Sequence, residues 1–168
     1  KKLIFGTDLV ANGTWLAVTE KGEFSAALNI RTNPNQPKKP KSRGMPPIEV
    51  LTSESSVDRY FDSLNSYDYN PFSLVVGGVS QPTQVFSSLK SIRKKFDQNL
   101  LALSNNSVDE EWQKSKILAS EFELKTNRLS LEGDLVEIGF ELLGSKKLIQ
   151  DEKLLPKTGW PLEIEKHL

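Results

Sequence analysis

Thr14-Trp15-Leu16-Ala17-Val18-Thr19-Glu20-Lys21-Gly22-Glu23-Phe24-Ser25-Ala26-Ala27-Leu28-Asn29-Ile30 is the stretch on which the fold turns. Two runs of strand-forming residues, 14–19 and 24–30, flank Glu20-Lys21-Gly22-Glu23. A short Gly-containing connection between such runs predicts a β-hairpin. Working outward, Leu3 to Phe5 is a short apolar run ending at Gly6. Phe72 to Val76 reads as a buried strand closed by a turn at Gly77-Gly78. Val85 to Leu89 and Asn99 to Leu103 read as further strands, joined through the basic stretch Arg93 to Lys95.

Helical signals interrupt and follow these strands. Val57, Tyr60, Phe61 and Leu64 have the spacing of one buried helix face, with Ser55 or Ser56 placed to cap it. Ser107 and Glu110 form a capping-box pattern, which predicts a helix running to about Thr126 with Trp112, Ala119 and Phe122 on one face. Leu135, Ile138, Gly139, Leu142 and Leu143 make another apolar face, stopped at Gly144. Strands come first and helices later, without regular βαβ alternation, so the pattern predicts an α+β fold with a largely antiparallel sheet. Residues 33–47 carry five prolines with Lys38, Lys39, Lys41 and Arg43, and read as an exposed, mobile loop.

Composition narrows the function classes. The 168 residues can bury one core. The 22 basic and 22 acidic residues cancel, so no whole-molecule field draws the chain to nucleic acid or anionic lipid. The absence of Cys excludes a disulfide, a thiolate metal site and a thiol nucleophile within these residues. No apolar run reaches the length of a membrane span, and there is no signal-peptide pattern. The chain opens at Lys1 and its single Met is Met45, which suggests a piece of a longer protein.

Asn29 and Asn105 are the candidate chemical groups. An Asn just after a strand can donate its amide to a developing oxyanion. The plainer alternative is a side chain that satisfies a turn, which residue type alone favours. With Ser107 assigned to the helix cap, Asn105 has no structural role left. The pair reads as half of an active site whose other half lies outside these residues. Asn12-Gly13-Thr14 and Asn105-Asn106-Ser107 match the glycosylation triplet, which arises often by chance. Lys38 to Arg43 matches an import or phosphate patch, although such a run is more often only a solvated loop, which the prolines favour, and no aromatic is interleaved to stack a base. Asp109, Glu110 and Glu111 read as helix-start acids rather than metal ligands. His167 has no acid or nucleophile at a triad spacing. Trp15, Trp112 and Trp160 read as core or staple residues.

The ordered blocks resemble one family. Asn12 to Val18, Gly22 and Ala26-Ala27-Leu28-Asn29 resemble the "GGTWLG…G…AALTN" signature of the NRDE family, the transport and Golgi organisation protein 2 family. Ser42-Arg43-Gly44 resembles its "SRG", and Tyr67 with residues 70–77 resembles "Y.GFNLI.G". Ala102-Leu103-Ser104-Asn105 and Trp112-Gln113-Lys114 resemble "GLSN" and "W.K". Leu155 to Gly159 with Glu163-Ile164-Glu165 resembles the late "LP.TG…E.E". The likeness covers nearly all of residues 1–168, as the central part of a single domain.

That resemblance implies a four-layer αββα sandwich of the N-terminal-nucleophile hydrolase type, incomplete at both ends of this chain. The Cys nucleophile and the Asn-Arg-Asp-Glu motif of the family would precede Lys1. Asn29 and Asn105 resemble the oxyanion-stabilising Asn pair of the related choloylglycine hydrolases, with Ala102 replacing the usual Gly and Asn106 a small residue. Two functions follow from the likeness. One is an intracellular trafficking factor acting in Golgi organisation, secretion or haem transfer from organelles, with haem or an acyl compound as hydrophobic cargo. Its binding residues would be Trp15, Asn29, Ser104 and Asn105, and its place the cytoplasm, at the Golgi or mitochondria. The other is an amidohydrolase for linear or acyl amides, in which Asn29 and Asn105 steady the oxyanion. A purely structural module is the third reading.

Overall fold

The computed structural model describes residues 1–97, 100–127 and 133–166. They fall into two compact units, Lys1–Gln98 with Asn105–Glu110, and Asn99–Ser104 with Glu111–Leu168. The whole is a mixed α+β structure with a six-stranded antiparallel sheet.

The first unit holds that sheet in simple sequential order. Its strands are β1 (Leu3–Phe5), β2 (Leu16–Thr19), β3 (Phe24–Asn29), β4 (Phe72–Gly78), β5 (Gln81–Ser87) and β6 (Ile92–Phe96). The expected hairpin is β2–β3, with Leu16 opposite Ala26 and Val18 opposite Phe24. Strand alternation sorts the side chains between two faces. On one face Ala17, Ala27, Leu74, Val76 and Phe86 pack with Val50 and Leu51 of α1 (Pro46–Thr52) and Phe61 of α2 (Val57–Ser63). The Phe61 and Phe86 rings stack at 5.4 Å. Ser56 caps α2 by accepting from the Arg59 N–H, as expected for one of the two serines.

Helix α1 was not legible in the sequence. Pro46 and Pro47 open it and are buried. Proline suits a first helical turn because its missing N–H would be unpartnered there anyway. The remainder of the Pro/Lys-rich stretch is also tied down. Asn70 accepts from the Lys39 N–H at 3.1 Å and donates to the Pro37 carbonyl at 3.0 Å. The Lys41 N–H donates to the Asp68 carbonyl at 3.0 Å.

Four expectations need correction. Arg93 to Lys95 lie inside strand β6, exposed on the sheet edge, where charges keep an unpaired edge from recruiting other strands. Residues 100–103, expected as a strand, are irregular, and Asn99 lies outside the described residues. Gly77 and Gly78 belong to β4 and the turn follows them. A Cβ on Gly77 would stand 2.9 Å from the Phe24 ring, so glycine lets that ring lie across the strand. The capping box is not formed. Helix α3 (Gln113–Thr126) starts after Trp112 without a side-chain cap, while the Glu110 N–H donates to the Ser107 carbonyl in a turn. The segment is held instead by the buried bond from the Val108 N–H to Ser87 Oγ and by Lys90, whose ammonium binds Asp109 at 2.8 Å and Glu110 at 3.0 Å. Those contacts hold 107–110 to the β5–β6 connection, and helix formation waits until they are past.

The second unit is helical among its described residues. Helix α3 packs against α4 (Gly133–Leu143), with Lys125 bound to Glu141 at 2.7 Å. Gly144 closes α4 by donating to the Phe140 carbonyl. Of the apolar face expected on α4, Leu142 is buried, whereas Leu135 and Leu143 are exposed. Beyond it, Glu165 at the end of α5 (Leu162–Glu165) is buried. Its Oε1 accepts both the N–H and the hydroxyl of Thr158, at 3.0 and 2.5 Å. No helix among the described residues is long and apolar enough to cross a membrane.

Candidate functional site

The corner of the first unit where β2 and β3 begin and end carries most of the sequence-selected residues. Gly13 and Gly44 meet there backbone to backbone. A Cβ on Gly13 would stand 2.7 Å from Gly44 main-chain atoms, and one on Gly44 would stand 2.9 Å from Gly13 and Thr14. The Thr14 N–H donates to the Gly44 carbonyl at 2.9 Å. Two distant sequence blocks, 12–18 and 42–44, are thereby clamped together. Their neighbours also meet, for the Arg43 guanidinium lies 5.9 Å from the Trp15 ring centroid.

Trp15 is not a core residue. It is 47% exposed, and Trp160 is likewise exposed while Trp112 is half-buried. Trp15 instead walls an apolar groove of about 650 Å³ with Ile4, Phe5, Leu16 and Val18. Ile4, Leu16 and Val18 lie on the sheet face opposite the helices, because Ile4 and Val18 are paired in register while Ala17 points into the core. Phe5, paired with Ala17, belongs to the helix side of the edge strand β1. Ile4 is 74% and Leu16 52% exposed. Asp8 also borders the groove, and its Oδ1 is occupied by the Val10 and Ala11 N–H groups. The sequence reading missed Ile4, Phe5 and Leu16 as site residues. The available signal was a hairpin strand apolar at successive positions, which leaves hydrophobic side chains on both faces.

Asn29 and Asn105 are brought together. The Asn105 amide donates to the Asn29 main-chain carbonyl at 2.9 Å, and the Arg31 N–H donates to the Asn105 carbonyl at 2.7 Å. Asn105 thus has a structural role, because it continues the pairing of β3 past the strand end. Asn29 pairs with Phe72 in register, on the same side of its strand as Ala27. Its Oδ1 is buried with no hydrogen-bond partner among the described residues, a costly state in a folded protein. The Trp15 carbonyl accepts from the Ala27 N–H at 2.9 Å, which puts Trp15 two strand positions from Asn29. Ser104 belongs to the other unit and lies in irregular backbone.

Around this corner a buried polar ladder fixes the 105–110 segment. Ser73 and Ser87 share a hydroxyl–hydroxyl bond at 2.8 Å, and Ser87 Oγ accepts from the Val108 N–H at 2.8 Å. The Asn106 amide donates to the Glu110 carbonyl. The Lys90 ammonium holds the Asp109 carboxyl below its usual range. A second, more polar concavity of about 500 Å³ includes Lys39, Tyr67, Tyr69, Asn70, Ser88 and Lys90. Its Lys90 is already neutralised by the two carboxylates.

Asp109, Glu110 and Glu111 do not form a metal cluster, and no such cluster of His, Asp or Glu occurs among the described residues. His167 lies outside the described residues. The architecture defines an α+β protein whose sheet is covered by helices on one face and carries an exposed apolar groove at its β1–β2 end. The family model for transport and Golgi organisation 2 matches residues 1–168, and the chain belongs to that family. No curated protein gives a significant match to the chain.

Proposed function

We propose that the chain is part of a trafficking factor of the transport and Golgi organisation type that carries an apolar cargo in the exposed groove at the β1–β2 end of its sheet. Family membership supports a trafficking-type role. The observation that carries the cargo reading is the groove of Ile4, Phe5, Trp15 and Leu16, a concave apolar surface of ligand size. The finer fold proposal is an αββα sandwich of the N-terminal-nucleophile hydrolase type. One face of the sheet is already covered by α1 and α2 while the other is apolar, the arrangement of one half of such a sandwich.

Haem is the cargo proposed, delivered from organelles to the cytosol in support of Golgi organisation and secretion. The chain has no Cys and a single Met, so packing rather than thiolate or thioether ligation would hold it here. Haemin titration of the full-length protein, followed in the Soret band, tests this. Wild type should saturate, and Leu16→Arg should weaken binding at least about tenfold, the loss of one well-buried apolar contact. Equal binding by the two proteins would contradict a cargo site in this groove.

The second reading is an amidohydrolase with an N-terminal Cys supplied by a segment before Lys1. The observation favouring it is the Asn29–Asn105 juncture with its unpartnered amide oxygen. An oxyanion needs N–H donors, so Asn29 would have to turn its amide to present Nδ2. Asn105→Ala should then lower amide turnover by about a hundredfold to a thousandfold. An unchanged rate on every amide cleaved would sink this reading.

A further inference from the structure

Arg43 is half-buried, and its hydrogen bond from Nη1 to the Pro71 carbonyl is a long one at 3.4 Å. Burial pushes its pKa below the ordinary arginine value, and no carboxylate among the described residues acts on it in compensation. A guanidinium carries five N–H donors in a fixed fork. Removing such a group from water without an anion costs free energy, which folding tolerates where the group has another use. The surroundings allow it little freedom. Its neighbour Gly44 is clamped against Gly13, and its charge sits over Trp15. Trp15 in turn walls the apolar groove. An unpaired cation therefore stands one indole ring away from an apolar trough.

We propose that Arg43 anchors the carboxylate of an amphipathic organic acid whose hydrocarbon body occupies the groove of Ile4, Phe5, Trp15 and Leu16. This rests on the reading of that groove as a cargo site and adds the chemistry of the cargo's head. The fork of Arg43 matches a carboxylate in bidentate fashion, and a charge-assisted bond of this kind is about twice as strong as a neutral one. Asp8, whose Oδ1 accepts from the Val10 and Ala11 N–H groups, borders the groove and makes no ion pair with Arg43 among the described residues. The site accordingly favours an acid over the alcohol or ester of the same skeleton.

The test compares pyrenebutyric acid with pyrenebutanol, by pyrene fluorescence, on the full-length protein. Wild type should bind the acid about tenfold to a hundredfold more tightly than the alcohol. Arg43→Met should bring the acid down to the alcohol's affinity and leave the alcohol unchanged. Arg43→Lys, which keeps the charge without the fork, should recover part of the preference and also serves if Arg43→Met fails to fold. Equal affinity of wild type for the two compounds, or a proportional loss of both in Arg43→Met, would overturn the Arg43 assignment while leaving the groove as a site. Binding of neither compound would overturn the groove reading and this inference with it.

Discussion

The helix-covered face of the six-stranded sheet and the β1–β2 end of its other face start from similar residue types and end in opposite states. On the helix-covered face Phe61, Phe72, Leu74 and Phe86 are at most 2% exposed, and the side chains make a closed core. At the β1–β2 end of the other face Ile4 and Leu16 remain more than half exposed although they are equally apolar, whereas Val75 and Val85 further along that face are buried. Burial of the first face is what stabilises the unit, since apolar area removed from water contributes about 25 cal/mol per Å². The β1–β2 end of the second face contributes much less to stability and is the part available for binding. A face can serve one of these ends fully only at the expense of the other.

Mutations that close or open the two faces should separate stability from binding. The largest expected effect is Phe72→Ala, which should cost about 3–5 kcal/mol in chemical denaturation by leaving a cavity in the core. A loss below about 1 kcal/mol would mean that this face is not the stabilising one. Next comes Gly44→Val at the two-glycine clamp, where a Cβ would press on main-chain atoms that have no rotamer to yield. It should cost about 1–3 kcal/mol in the same assay and also dull cargo binding by displacing Arg43 and Trp15. Leu16→Arg should change the unfolding free energy by no more than about 0.5 kcal/mol, because its side chain is already largely exposed. A large destabilisation there would show that the open face is part of the folding core.

The smallest effect concerns acid. Lys90 lowers the folded pKa of Asp109, and Lys1 lowers that of Glu23. A carboxyl whose folded pKa lies below its unfolded value adds stability above the unfolded value, and that stability is lost as pH falls through the folded one. Both carboxylates are solvent-accessible, so each pair should contribute less than about 1 kcal/mol. Lys90→Met should therefore flatten the decline in stability below the ordinary carboxylate range and leave stability near neutral pH almost unchanged. A decline as steep as that of wild type would remove the 107–110 anchor from the account.

Much of the fold was legible because its signals are local. The β2–β3 hairpin, the β4 strand and α2 with its Ser56 cap each follow from patterns within a dozen residues. What escaped depends on contacts distant in sequence. Strand β6 was masked by Arg93, Lys94 and Lys95, whose charges suit an edge and not an interior strand. The segment before α3 is tied to Ser87 and Lys90, which no window around Ser107 contains. Of the candidate site, the pairing of Asn29 with Asn105 was anticipated as a neighbourhood, while its form, an amide donating to a main-chain carbonyl, was not. Trp15 was named both as a core residue and as a binding residue, and its 47% exposure contradicts the first. Arg43 was visible only as one charge in a basic loop, because its meeting with Trp15 runs through the Gly13–Gly44 contact.

Hydrogen–deuterium exchange of the full-length protein with and without haemin bears most directly on the division of labour between the two faces. The account predicts slowed exchange confined to residues 3–5, 14–18 and 42–44, with α1 and α2 unchanged. Slowing centred on α1 and α2, or no change anywhere at saturating haemin, would contradict it.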